Sequence, residues 1–441
     1  MKVAAVKAKM GFLEFMAICC VFSVFLDKAI RGVFAFDFYY NYVVLIIFLL
    51  TVLIKKGMLA LPPKWFLIGT LSIFVSSIFI LLVTNRMGFE FWKQVFGIVF
   101  TSIAYYNVLY VFRFNVKKIF DYYLKFAFWV ALFGVVNNAL HFVGIFLTHS
   151  VQAGLLYREA SIMGEPFYLA LALTPGVAYY IAYFKRTWQN KKLEFIIILL
   201  CYLLTYSSIA VAGIAISVIL GLYLNDFFSL KKNKLIAAPL MILPFILLIN
   251  FLIENVNLIN ARFTDTTELF FSSELQTSQA GASNSSTFAL YSNFIIARDS
   301  FLNEPLFGSG LGSHPLIYKE TFLKYFPSQF LIWYGNQNQQ DANSKFLRLM
   351  SETGLLGLVL FLFAYFKFFA PKSKMSNEYL KELGAINYAI FIYILLCLIR
   401  NGNYINVGFF LFFFTYFVTW KALKVQHPYS TMRRPISPAL Q

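Results

Sequence analysis

The chain has 441 residues, of which 60% are hydrophobic, 20% aromatic and only 13% charged. Soluble globular proteins carry about 25% charged residues, so this composition lacks the polar surface that water requires and excludes an ordinary soluble enzyme or binding domain. The formal net charge of +17 would suit a polyanion in a soluble protein, but here Lys and Arg sit in short clusters between apolar stretches, where they set topology; no nucleic-acid partner is expected.

A membrane span needs roughly 20 predominantly apolar residues. On that criterion twelve spans are expected, at about 10–26, 35–54, 64–83, 92–112, 121–146, 166–184, 193–206, 209–228, 235–253, 351–369, 384–399 and 405–422. The seventh and eighth form one apolar run, split at Ser207 and Ser208 because it is too long for a single comfortable helix. Charge supports the split. With the N-terminus inside, the connections bearing Lys55 and Lys56, Arg113, Lys117 and Lys118, Lys185 to Lys192, Lys231 to Lys234, and Lys372 to Lys381 all fall on the cytoplasmic side, as the positive-inside rule asks. The expected fold is an all-α polytopic integral membrane protein, one membrane domain over 1–441 with both termini cytoplasmic and a tail at 423–441. No cleavable signal peptide is evident after Phe25 and Leu26, so the first span should be retained. Cys19, Cys20, Cys201 and Cys397 lie inside apolar runs and read as inert core residues.

One outer connection is large, residues 254–350. It begins with SSELQTSQAGASNSSTF, which cannot bury an apolar face. The following FALYSNFIIARDSFL places Phe288, Tyr291, Phe294, Ile295 and Leu302 at helical spacing, an amphipathic helix expected along the membrane surface.

Candidate chemistry gathers on that outer side. Arg158, Arg298 and Arg400 are retained where basic residues are otherwise drawn inward, and a guanidinium grips phosphate oxygens bidentately. The alternative for each is snorkelling to lipid headgroups or capping a helix. In NEPLFGSGLGSHP, Gly308, Gly310 and Gly312 alternate, so the backbone there could approach closely and offer N–H groups to an anion. In DANSKFLRLMSETG, Asp341, Asn343, Lys345, Arg348 and Glu352 approach the tenth span, with Arg348 and Glu352 at i, i+4, as either a structural ion pair or a working one. Glu165, beside Pro166, is a further acid, base or partner for Arg158. The four His residues form no metal set, and there is no DxD, nucleotide loop or HExxH, so neither a metal nor a cofactor is expected.

The order of these motifs resembles the core signature of the O-antigen ligase and polymerase superfamily: an Arg-bearing helix, NPLFGxGxG, a spacer, HNxxLxxxxExGxxG and a span. The resemblance covers about residues 290–365, and YREASIMGEP and LLTYSSIAVAGI look like the family's earlier pieces. It implies a bacterial inner-membrane glycosyltransferase, GT-C-like, with a large periplasmic loop between two late spans and an active site facing the periplasm. The implied substrate is a glycan on undecaprenyl diphosphate, contacted by Arg298 and Arg158, with Asn343 and Glu352 ordering the entry to the tenth span. Membrane lipids, a chain-length regulator and a flippase are the implied partners. Ligases of the family typically carry His immediately before the Asn; Ala342 stands there in this chain. Together with Arg158 ahead of GEP, that departure favours a Wzy-type polymerase of O-antigen or capsule. Glycosyl transfer would then use Arg158, Arg298 and Arg400 on the leaving diphosphate, with Glu165 or Asp341 taking the acceptor proton. The competing readings are a ligase with another acceptor, and a transporter or flippase, for which Gly- or Pro-broken spans and charges at the membrane midplane would be expected.

Overall fold

The computed structural model describes residues 10–26, 40–145, 147–148, 151–153, 156–224, 285–330, 338–372 and 375–425, with six further residues between 260 and 269. The expected ninth span, most of the Ser/Thr/Gln-rich stretch and most of the C-terminal tail lie outside these residues.

In the apolar stretches every backbone donor and acceptor must be satisfied within the segment, and helices do this at every residue. They run as α1 (Phe12–Phe22), α2 (Tyr40–Lys56), α3 (Lys64–Val83), α4 (Phe89–Val111) and α5 (Val116–His141). A short hairpin follows, β1 (Val151–Ala153) and β2 (Leu156–Arg158), pairing Val151 with Arg158. Then come α6 (Pro166–Ala182), α7 (Phe184–Asn190), α8 (Lys192–Leu204) and α9 (Ser208–Leu224). The last set is α10 (Ser285–Asn303), α11 (His314–Tyr325), α12 (Lys345–Lys367), α13 (Glu378–Arg400) and α14 (Phe409–Lys424). Five of these, α3, α4, α5, α12 and α13, are long and apolar enough to cross a membrane, and α6 with α7, bent by 97°, makes a sixth if the pair is one span. The protein is an all-α polytopic membrane protein. The hairpin and α7 were not visible in the sequence pattern.

The core is built by α6, which packs against α9 and α13 and is buried along almost its whole length. Pro175 inside α6 has no N–H to give. Tyr123 of α5 repairs the neighbouring turn: its hydroxyl donates to Ala172 C=O (2.7 Å) and accepts from Gly176 N–H (3.1 Å). Asn387 of α13 ties the end of α12 and the middle of α14 to its own helix, donating to Phe368 C=O, Tyr416 C=O and Thr419 Oγ1 while accepting from Ala370 N–H. Such polar glue replaces the hydrophobic driving force that lipid removes.

The two ends of the bundle differ. At one end Lys117 meets Glu382 at 2.7 Å, Lys118 meets Glu14, Arg186 meets Glu378 at 3.4 Å, and Lys372 reaches Tyr223 C=O. The opposite end collects the segments that carry Arg86, Arg158, Arg348 and Arg400.

On α10, Phe288, Tyr291, Ile295 and Ile296 pack against Ile317, Tyr318 and Phe322 of α11, with Phe326 and Phe330 beyond. The helix is therefore held by protein on its apolar face instead of resting that face on lipid. Only Leu302, at its far end, is left exposed. The reason is that α11 supplies aromatic partners at matching spacing, so burying this face against them needs no bilayer.

Replacing Tyr123 by Phe deletes one hydroxyl and leaves the Pro175 turn short of both a donor and an acceptor. The expected loss is about 1–3 kcal/mol of stability, the cost of an unmade buried hydrogen bond, read as a lower melting temperature of the purified protein in detergent.

Candidate functional site

The glycine segment and the start of α12 meet in one junction. Gly354 (φ 57, ψ −152) breaks the helical path of α12, which opens two i→i−4 pairs and frees Ser351 C=O, Glu352 C=O, Leu355 N–H and Leu356 N–H. All four are taken by the loop between α10 and α11. Ser309 N–H donates to Ser351 C=O and Gly310 N–H to Glu352 C=O, each at 2.9 Å; Leu355 N–H donates to Pro305 C=O at 2.8 Å and Leu356 N–H to Leu306 C=O at 3.0 Å. The loop lies so close that a Cβ on Gly308 (φ 65) would stand 2.6 Å from the backbone of residues 352–354, and one on Gly354 would stand 2.5 Å from Gly308 N. Gly310 faces the side chain of Leu81 in α3. Since Gly308 N–H also donates, to Glu304 C=O, the N–H groups of residues 308–310 are engaged within the protein.

Charge sits directly above this seam. Arg348 and Glu352, 1% and 0% exposed, pair through Nε and Oε1 at 3.0 Å. Glu352 also accepts from Tyr404 Oη (3.0 Å) and from His314 N–H at the start of α11 (3.4 Å), where a negative charge suits the helix N-terminus. The Arg348 guanidinium lies 4.5 Å from the Tyr404 ring centre and donates to Gly402 C=O. His314 bridges two helices: Nε2 meets Asn293 Oδ1 of α10 and Nδ1 meets Ser351 Oγ of α12, both at 2.9 Å. Burial, reinforced by the nearby Arg348 charge, pushes His314 down to about 3, so it is neutral at physiological pH. Lys345, also buried, stacks on the Phe409 ring.

The other predicted residues surround this junction. Arg298 is exposed on α10, with no ion pair among the described residues. Its neighbour Asp299 is occupied: burial alone would raise its carboxyl, but bonds from Lys324 (2.7 Å) and Tyr325 of α11 hold it below the usual carboxylate range. Arg400 is half-buried and donates to Ser286 at the start of α10. Asp341 is half-buried and accepts from the N–H of the buried Asn343. Arg158 is half-buried, with Nε 3.4 Å from Thr205 C=O, and Glu165 stands half-buried at the N-cap of α6. The structure thus brings Gly308, Gly310, Arg348 and Glu352 into one junction, with Arg298, Arg400, Asp341 and Asn343 on segments packed around it. Arg158 and Glu165 stand on the approach to α6. Among the described residues no group of His, Cys, Asp and Glu could hold a metal ion.

Residues 193–362, which span both α8–α9 and the junction, match the family model described as O-antigen ligase. The matched segment, less than half of the chain, is similar to the O-antigen ligase family and supports the resemblance to the O-antigen ligase/polymerase superfamily. No curated protein matches the chain. Sequence reasoning missed His314 and Tyr404 as partners of Glu352, and Glu159, which is fully buried beside Arg158. The signal for Glu159 was available in Asn137 and Asn138, two amides in an apolar span that need a polar partner.

Truncating Glu352 to Ala leaves Arg348 as an uncompensated buried cation and should cost about 3–5 kcal/mol, whereas replacing both residues by Met should cost less; thermal unfolding of the three proteins checks the order. The histidine gives a pH prediction. Its folded value lies below the ordinary 6.5, so as pH falls below 6.5 the unfolded chain takes up the proton first and stability falls by about 1.4 kcal/mol per unit until about pH 3. The wild type should therefore lose about 2 kcal/mol more than a His314→Gln variant between pH 7 and pH 5.

Proposed function

We propose that the protein is a polysaccharide polymerase of the cytoplasmic membrane. It would transfer a growing O-antigen or capsule chain from undecaprenyl diphosphate to the sugar of a new lipid-linked repeat unit. The observation that carries this reading is the exposed Arg298, which has no ion pair among the described residues and is presented on a helix whose opposite face is fixed to the junction within the matched segment. A guanidinium so held can meet the diphosphate of the leaving group without first breaking an internal ion pair. The preference for polymerase over ligase rests on residue 342. Its methyl group is buried against Ala297 and Leu347, so no titratable side chain stands where ligases typically place histidine.

On this reading the junction faces the periplasm and both termini the cytoplasm, which is supported by the lysines that gather at the opposite end of the bundle. Twelve spans fit that orientation. Arg158 and Arg400 add positive charge for the diphosphate, and Asp341 or Glu165 takes the acceptor hydroxyl proton as the glycosidic bond to the diphosphate breaks and the new one forms. The chemistry asks for no metal or cofactor, because the diphosphate already leaves readily once its charge is compensated. A flippase would deliver the substrate and a chain-length regulator would limit the product.

Deleting the gene in its host should collapse the surface polysaccharide ladder to single repeat units on a gel. A ladder that persists on undecaprenyl diphosphate would instead indicate a ligase, and an unchanged glycan would return the transporter reading. In the deletion strain Arg298→Ala should restore less than about a tenth of wild-type polymer, the loss expected when a charge-assisted contact worth more than about 1.4 kcal/mol is removed. Full restoration would remove Arg298 from the mechanism.

A further inference from the structure

The loop that carries Arg158 is fastened on both sides of that residue. Tyr157 C=O accepts from Asn138 Nδ2 of α5 at 3.0 Å, and Glu159 N–H donates to Leu204 C=O at the end of α8 at 2.9 Å. The Glu159 side chain turns inward and is fully buried. Its carboxylate accepts from Asn137 Nδ2 at 3.1 and 3.2 Å and from Ser161 N–H at 2.6 Å, while Ser161 Oγ donates to Val130 C=O. Gly134 makes the room, since a Cβ there would stand 3.3 Å from Glu159 Cγ and 2.8 Å from Cys201 Sγ.

A carboxylate taken out of water costs several kcal/mol unless its oxygens are hydrogen-bonded, so this arrangement is stable only in the one loop conformation that brings Asn137 and Ser161 to it. Burial raises the Glu159 carboxyl above the usual range, and the Ser161 N–H and Asn137 amide draw it back. No solvent or substrate reaches the carboxylate itself. The guanidinium one residue earlier is left half-buried at the surface, its Nε set against Thr205 C=O in the matched segment.

We propose that Glu159, locked by Asn137 and Ser161, is the positioning residue for Arg158, clamping the guanidinium between α5 and the α8–α9 turn. The proposal rests on the reading of Arg158 as a diphosphate contact, and its test separates the two. The full-length chain in lipid nanodiscs is titrated with undecaprenyl diphosphate for wild type, Arg158→Ala, Glu159→Ala, Asn137→Ala and the double variants with Arg158→Ala. Arg158→Ala should weaken binding about tenfold, and Glu159→Ala and Asn137→Ala should each weaken it several-fold, about 1 kcal/mol, in the wild-type background but not in the Arg158→Ala background, because coupled residues are not additive. Glu159→Gln should bind and polymerise within about twofold of wild type, since an amide oxygen still accepts from Ser161 N–H and Asn137 can turn its own oxygen toward the new amide.

Factors that multiply in the double variants would overturn the proposal and leave Glu159 a general fold element. Wild-type affinity in a folded Glu159→Ala or Asn137→Ala protein would overturn it as well. A Glu159→Gln protein that binds normally yet does not polymerise would overturn it in favour of proton transfer. Wild-type affinity in Arg158→Ala would instead sink the reading of Arg158 on which the clamp depends.

Discussion

A helix broken inside a membrane protein leaves backbone groups that neither lipid nor water can satisfy, and the break at Gly354 is the constraint around which the outer half of this molecule is organised. Two opened pairs on α12 demand two donors and two acceptors, and the 305–310 segment supplies them from one short run. Left unpaired away from water, four backbone groups would cost about 1–3 kcal/mol each, comparable in sum to the whole stability of a domain, so the loop and the break exist only together. From this follow the small residues at 308 and 354, the seating of α11, and the burial of Arg348 and Glu352 directly above the seam.

The buried ion pair is a separate requirement. A close pair of charges withdrawn from water is stable only when its remaining hydrogen-bonding capacity is met. Tyr404, Gly402 and His314 meet it, and they come from two segments far apart in sequence, one of them beyond the matched residues 193–362. The consequence is long-range order: α10 is tied through Asn293 and His314 to α12, and α12 through Arg348 and Glu352 to the 402–404 turn. Arg298 is exposed on the first of these elements.

How far the sequence announced this varies with the range of the interaction. Membrane class and most helices were legible, because composition and apolar run length act locally. The Arg348–Glu352 pair was legible as an i, i+4 spacing on one helix. The glycines were recognised as points of close approach, but what they approach was hidden: the partner backbone lies some forty residues on, and neither periodicity nor spacing encodes that register. The amphipathic pattern of α10 was equally plain and equally ambiguous, since an apolar face fits lipid or another helix, and only the aromatic face of α11 decided between them. Glu159 was overlooked because an acidic residue beside an arginine in a polar loop reads as solvated surface. Its burial depends on Gly134 and Asn137, which belong to a different helix.

The arrangement also bears on how a membrane enzyme could hold a charged leaving group outside the bilayer. Guanidinium groups on mobile loops would have to be ordered with each turnover, and that ordering entropy would be subtracted from the stabilisation of the transition state. Here α10 and the 157–161 loop are fixed by buried polar contacts to the spans themselves, and Asp299, the carboxylate nearest in sequence to Arg298, is held by Lys324 and Tyr325. Preorganisation of this kind favours one reacting geometry over many, which suits the proposed reaction, whose difficulty would lie in placing two bulky lipid-linked glycans end to end more than in breaking a bond to a diphosphate.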